Sequence, residues 1–167
     1  APATLIVGAP SDAEALLWTR ALDLVTSNRA DDINVIRIGE PPEGIDTGGR
    51  ARVFPRVDDV IDEICAEATA LTDSLRARRR PTTFEARVDN PSEVFTPTVV
   101  LIATPQRGID RLLTAAHNHH GLTVVVAGEF DGEFDRELCV EGDTLMLKPV
   151  GLRLTPAHLP PDELPPA

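Results

Sequence analysis

Lysine is almost missing from this chain. Of 16 basic residues only Lys148 is a lysine, against 27 aspartates and glutamates, for a net charge of -11. A surface so poor in positive charge repels phosphate backbones and anionic lipid, which excludes direct binding of nucleic acid by this segment. Long hydrophobic runs are missing too. "TVVLIA" and "LTVVVAG" are strand-sized and far short of a membrane span, so membrane insertion by this segment is not expected. There is no signal-peptide pattern. The two cysteines, Cys65 and Cys139, fall at no metal or redox spacing and call for no disulfide, the expectation for a reduced, cytoplasmic domain.

What is present is ordinary globular material, 42% hydrophobic and 26% charged over 167 residues. That length suits one domain able to bury about 68–70% of its unfolded surface. "ATLIVG" reads as a buried strand, followed over residues 12–27 by Leu17, Ala21, Leu24 and Val25 at helical spacing. "INVIRIG" is a second strand and "ARVF" a short third, with a polar Gly- and Pro-rich loop between them. Val57, Val60, Ile61, Ile64, Ala68, Leu71 and Leu75 mark one face of a single helix from Val57 to about Arg79. "TVVLIA" is apolar on both faces, as a central parallel strand is. Thr104 as N-cap and Pro105 at the first helical position open the next helix, which ends at Gly121.

After the strand "LTVVVAG", near-alternating apolar residues around Glu141-Gly142-Asp143 mark a β-hairpin. Strands alternating with helices predict a three-layer α/β fold, a mostly parallel sheet flanked by helices with a C-terminal β-hairpin unit. The expected division is one domain over 1–155, with an α/β core at 1–128 and the hairpin unit at 129–155. Residues 156–167, five of them proline, form a linker or tail, as in a domain taken from a longer chain.

Candidate sites are few. A phosphate loop, G-x-x-x-x-G-K-[ST], would start at Gly8, but Ala13, Glu14 and Ala15 stand where glycine, lysine and hydroxyl belong. The carboxylate of Glu14 reverses the charge a triphosphate needs. Ser11-x-x-Glu14 reads instead as a capping box. The apolar strand that should end in a magnesium-binding acid ends in Ala103-Thr104-Pro105. His117 and His120 could share a helix face, but a closed zinc site needs four ligands and no partner lies at a diagnostic spacing. "EFDGEFDRE" lacks the order of a calcium loop, and no serine has the setting of an acyl-transfer nucleophile. No catalytic residue, metal or cofactor is therefore assigned. Were a nucleotide bound without hydrolysis, Gly8, Ser11, Glu14 and Thr104 would be the residues to hold it.

Two resemblances follow from longer stretches. "TLIVGAPSDAEALLWTRALDLVTSN", "INVIRIG" and "TPTVVLIATPQRGIDRLLTAAHNHHGLTVVVAG" resemble, in order, the core of FtsK-type DNA-translocase ATPases over residues 4 to 128, with both nucleotide motifs erased. "RVDDVIDEICAEA", "FTPTVVLIATP" and "LTVVVAGEFDGEFDRELCVEGDTLMLKPVGLRLTPAHLP" are similar to a segment of actinobacterial multidomain membrane proteins. Those carry transmembrane helices, a LysM module and a bacterial transcriptional activator domain. The resemblance implies a cytoplasmic domain of a membrane-anchored regulator, non-catalytic, meeting a protein partner or neighbouring domains of its own chain. The C-terminal β unit and the 39–52 loop are the surfaces expected to do so, as neither is needed to complete the sheet. The alternative is a nucleotide-binding sensor.

Overall fold

The computed structural model describes residues 2–26, 33–39, 50–79, 82–83, 96–141 and 144–154. Strand β1 (Ala3–Val7) leads into helix α1 (Pro10–Thr26), then β2 (Asn34–Ile38) and β3 (Ala51–Phe54). A 3-10 turn (Val57–Asp59) precedes α2 (Ile61–Ala77), followed by β4 (Thr98–Ile102), α3 (Ile109–Asn118) and β5 (Leu122–Ala127). Strands β6 (Arg136–Glu141), β7 (Thr144–Lys148) and β8 (Leu152–Leu154) complete the described elements.

The strands form one eight-stranded sheet in the order β3-β2-β4-β5-β1-β6-β7-β8. Pairing is parallel from β3 through β6 and antiparallel from β6 through β8. The expected α/β architecture is therefore observed. Strands buried on both faces read as unbroken apolar runs, and Val100, Leu101 and Ile102 of β4 are fully buried. On one face α1 lays Ala13, Leu17, Trp18 and Ala21 over Ile6, Val35, Leu101 and Ala127. On the other, α2 and α3 bury Ile61, Ile64, Ile109 and Leu112 against Leu5, Ile36, Ile38, Val100 and Val126.

Three expectations are corrected. The helix expected from Val57 is interrupted at Val60 (φ -138°, ψ -7°), so a 3-10 turn precedes α2. That turn is held by Gln106, whose Oε1 accepts from the Val57 N–H at 2.9 Å. Thr104 is not an N-cap: α3 begins at Ile109, after Gly108, and Pro105 instead packs on Gly128 at the end of β5. The C-terminal β unit does complete the sheet, because β6 pairs in parallel with β1 from Thr4↔Arg136 to Val7↔Cys139. Without it β1 would be an edge strand. The hairpin turn at 142–143, loop residues 40–49 and the tail at 156–167 lie outside the described residues.

Candidate functional site

Six parallel strands end on one rim of the sheet, the side on which open α/β sheets receive ligands. On that rim lie the β1–α1 turn, the β4–α3 connection and the β5–β6 connection, and β5 stands between β1 and β4. Every residue considered for a nucleotide is on it.

The β1–α1 turn is two residues long, Gly8 and Ala9. A phosphate loop needs a longer excursion between strand and helix, so that successive N–H groups converge on one anion. Here Ala9 caps the helix through its carbonyl, which accepts from Asp12 N (2.9 Å) and Ala13 N (3.0 Å). Pro10 takes the first helical position, where its missing N–H costs nothing. Ser11, Ala13, Glu14 and Ala15 all lie within α1.

The capping box is also corrected. Ser11 lies inside the helix, with its Oγ 3.4 Å from Asp12 Oδ1. Glu14 looks forward one turn, accepting from the indole Nε1–H of Trp18 at 3.2 Å. Trp18 is 1% exposed, and a buried indole needs such an acceptor. The Arg37 guanidinium stacks over the same ring, 4.4 Å from its centroid. Arg37 is itself 3% exposed. Burial lowers its pKa from the ordinary arginine value, and its Nε and Nη1 meet no partner among the described residues. The residue in the place of the phosphate-binding lysine thus serves the packing of α1.

Two close approaches fill the rim. A Cβ on Gly8 would lie 2.9 Å from Val140 O and 3.0 Å from Val140 Cβ, because β6 runs on past the end of β1. A Cβ on Gly128, whose φ is +110°, would lie 2.9 Å from Pro105 Cδ. Thr104, just past the end of β4, is exposed. Glycine is needed at these points for backbone contact within the protein.

The histidines are separated by their contacts. His117, near the end of α3, has Nδ1 2.9 Å from Leu113 O and Nε2 3.4 Å from Asp135 Oδ2. Asp135 Oδ2 also accepts from Ala3 N at 2.8 Å. His120 lies beyond the helix, its backbone N–H donating to Thr72 Oγ1 at 2.8 Å. Among the described residues no group of three or more His, Cys, Asp or Glu is placed to hold a metal ion.

Beside β1, on the α3 face, a cleft of about 410 Å³ is lined by Leu5, Val7, Glu129, Phe130, Asp131 and Glu137. On its outer wall Glu137 Oε1 accepts from Cys139 Sγ (3.0 Å) and from Lys148 Nζ (3.1 Å). The thiol contact and then the ammonium hold the Glu137 carboxyl below its usual range. The Cys139 thiol is pushed up, first by Glu137 and then by burial. Carboxylates at this position oppose a polyphosphate.

Sequence reasoning passed over these partners. The Glu14–Trp18 spacing of i, i+4 and the single arginine inside the apolar run "INVIRIG" were both readable signals. The contact of Val140 with Gly8 joins residues 132 positions apart and leaves no local trace.

No family model matches the chain, and no curated protein matches it. Among solved structures the chain is similar to the pCW3 conjugation coupling protein TcpA, in a monomer form with ATPγS. The TM-score is 0.58 at 12% sequence identity, with 83% of this chain and 48% of that chain covered. At that identity the likeness is one of fold, and it accords with the P-loop-like frame expected from residues 4 to 128. The chain spans about half the length of that protein. No described helix is long and apolar enough to cross a membrane.

Proposed function

We propose that this is a non-catalytic interaction domain that keeps a P-loop-like frame without a nucleotide site, and serves a larger regulatory protein by meeting a partner or a neighbouring domain. The two-residue turn between β1 and α1 carries this reading. Gly8, Ser11 and Glu14, the residues that would hold phosphate, are turned to packing, helix and indole in succession. Placement in an actinobacterial envelope-associated protein, with LysM and transcriptional-activator modules elsewhere in its chain, rests on the sequence resemblance alone.

A thermal melt with and without millimolar Mg-ATP and Mg-GTP tests the reading. A ligand at one hundred times its dissociation constant stabilises by about 2.7 kcal/mol, or about 5–11 °C for a domain of this size. The expected shift is none, with no phosphate release. A reproducible upward shift with either nucleotide favours the sensor reading, and turnover makes the domain an enzyme.

A further inference from the structure

Of the two parallel crossovers described throughout, β4 to β5 carries α3, whereas β5 to β6 has no helix. That second connection passes β1 on the α3 face as the loop 128–135, and covers it with two aromatic rings. Phe130 and Phe134 meet edge to face, 6.2 Å apart at 85°. The strand face beyond them is left as the cleft beside β1, where a crossover helix would otherwise lie. Its floor is apolar (Leu5, Val7 and Phe130), and its rim is acidic.

Glu137 on that rim is already paired with Lys148. Glu129 and Asp131 are exposed, with no hydrogen bond or ion pair among the described residues. Apolar surface framed by unpaired charge of one sign suits a partner with the same pattern and the opposite sign.

We infer that this cleft is a docking site for an amphipathic helix of a protein partner, one whose apolar stripe is flanked by arginines. The stripe seats on the half-buried Val7 and Phe130, above the buried Leu5, and the guanidinium groups meet Glu129 and Asp131. The inference rests on the interaction-domain reading and names the chemistry of its partner.

The test uses the whole 167-residue chain and two labelled synthetic helical peptides, read by fluorescence anisotropy at physiological salt. One carries leucines at i, i+3, i+4 and i+7 flanked by arginines, and the other has every arginine replaced by glutamate. Two double variants of equal charge change are compared, Glu129→Gln with Asp131→Asn at the cleft, and Asp23→Asn with Asp73→Asn on exposed helix surfaces elsewhere. The arginine peptide should bind and the glutamate peptide should not. Two rim charges together contribute about 1 kcal/mol, so the cleft pair should weaken binding about fivefold. The remote pair should change it less than twofold. Val7→Thr, which keeps the shape and loses apolar floor, should also weaken it.

Equal weakening by both pairs would reduce the effect to net charge and overturn the inference, as would no binding at millimolar peptide. Either result leaves the nucleotide melt untouched. A melt that responds to Mg-ATP overturns the broader reading whatever the peptides do.

Discussion

Replacing Gly8 with alanine separates the two roles a glycine after β1 could have. In a phosphate loop the extra methyl would obstruct a ligand and leave the apo fold nearly as stable as before. In this structure the methyl would meet the protein itself, 2.9 Å from a carbonyl oxygen and 3.0 Å from a Cβ of Val140. Neither atom can swing aside, because Val140 belongs to β6, which is hydrogen-bonded to β1 on one side and β7 on the other. Forcing a methyl into such a contact costs about 1–3 kcal/mol. Against this, alanine restricts the unfolded chain and recovers about 0.4–1 kcal/mol. The two ranges leave a loss centred on about 1.3 kcal/mol (about 0–2.6 at the extremes), or about 3–5 °C in melting temperature at the centre. Urea unfolding followed by the emission of Trp18, the single tryptophan and 1% exposed, measures it directly. The midpoint should fall with an unchanged slope. A variant as stable as the parent would refute the claim that β6 closes on the turn.

Further expectations follow from the buried indole and from the cleft wall. Glu14→Ala strands the Trp18 N–H and should cost about 1–3 kcal/mol in urea unfolding, while Glu14→Gln keeps an acceptor and should cost well under half as much. Arg37→Met removes a buried charge whose Nε and Nη1 are unsatisfied among the described residues, so stability should stay level or rise by about 1 kcal/mol despite the lost stacking on Trp18. A marked loss would show that the guanidinium is worth more than its burial costs. Glu137→Gln should speed alkylation of Cys139 at pH 8, since the carboxylate raises that thiol's pKa. Cys65, raised by its own burial, should not change, and mass spectrometry of the two thiols reads both. Because Glu137 is held low, any stability from its pairing is present above the unfolded glutamate value and fades as pH falls below it, so the acid limb of a stability profile should flatten slightly in the same variant.

The sheet was legible where strands are buried on both faces, since "TVVLIA" and "LTVVVAG" can be little else. The hairpin was legible from alternation of the two faces of β6 and β7. What escaped was decided by partners distant in sequence. Pro105 and Thr104 carry a strong helix-start signal, yet Pro105 is used against Gly128, and α3 starts four residues later. Ser11-x-x-Glu14 has the letters of a capping box, but Pro10 at the first helical position moves the helix start ahead of Ser11. The pairing of β6 with β1 crosses almost the whole chain, and no local pattern announces it. For the site, the sequence shows which nucleotide determinants are missing, while the partners of Gly8 and Glu14 are set by the packing of β6 and α1.

The shortness of the β1–α1 turn bears on how reversible this state is. Substituting Ala13→Gly, Glu14→Lys and Ala15→Thr would restore every letter of the phosphate-loop motif. It would also place those letters on the first turns of a helix that starts at Pro10, facing away from any common centre, and withdraw the acceptor from Trp18. On the interaction-domain reading proposed above, point substitution in this turn should not create a phosphate loop. A loop of that length would need inserted residues between Val7 and Pro10, and a β6 displaced to make room for them.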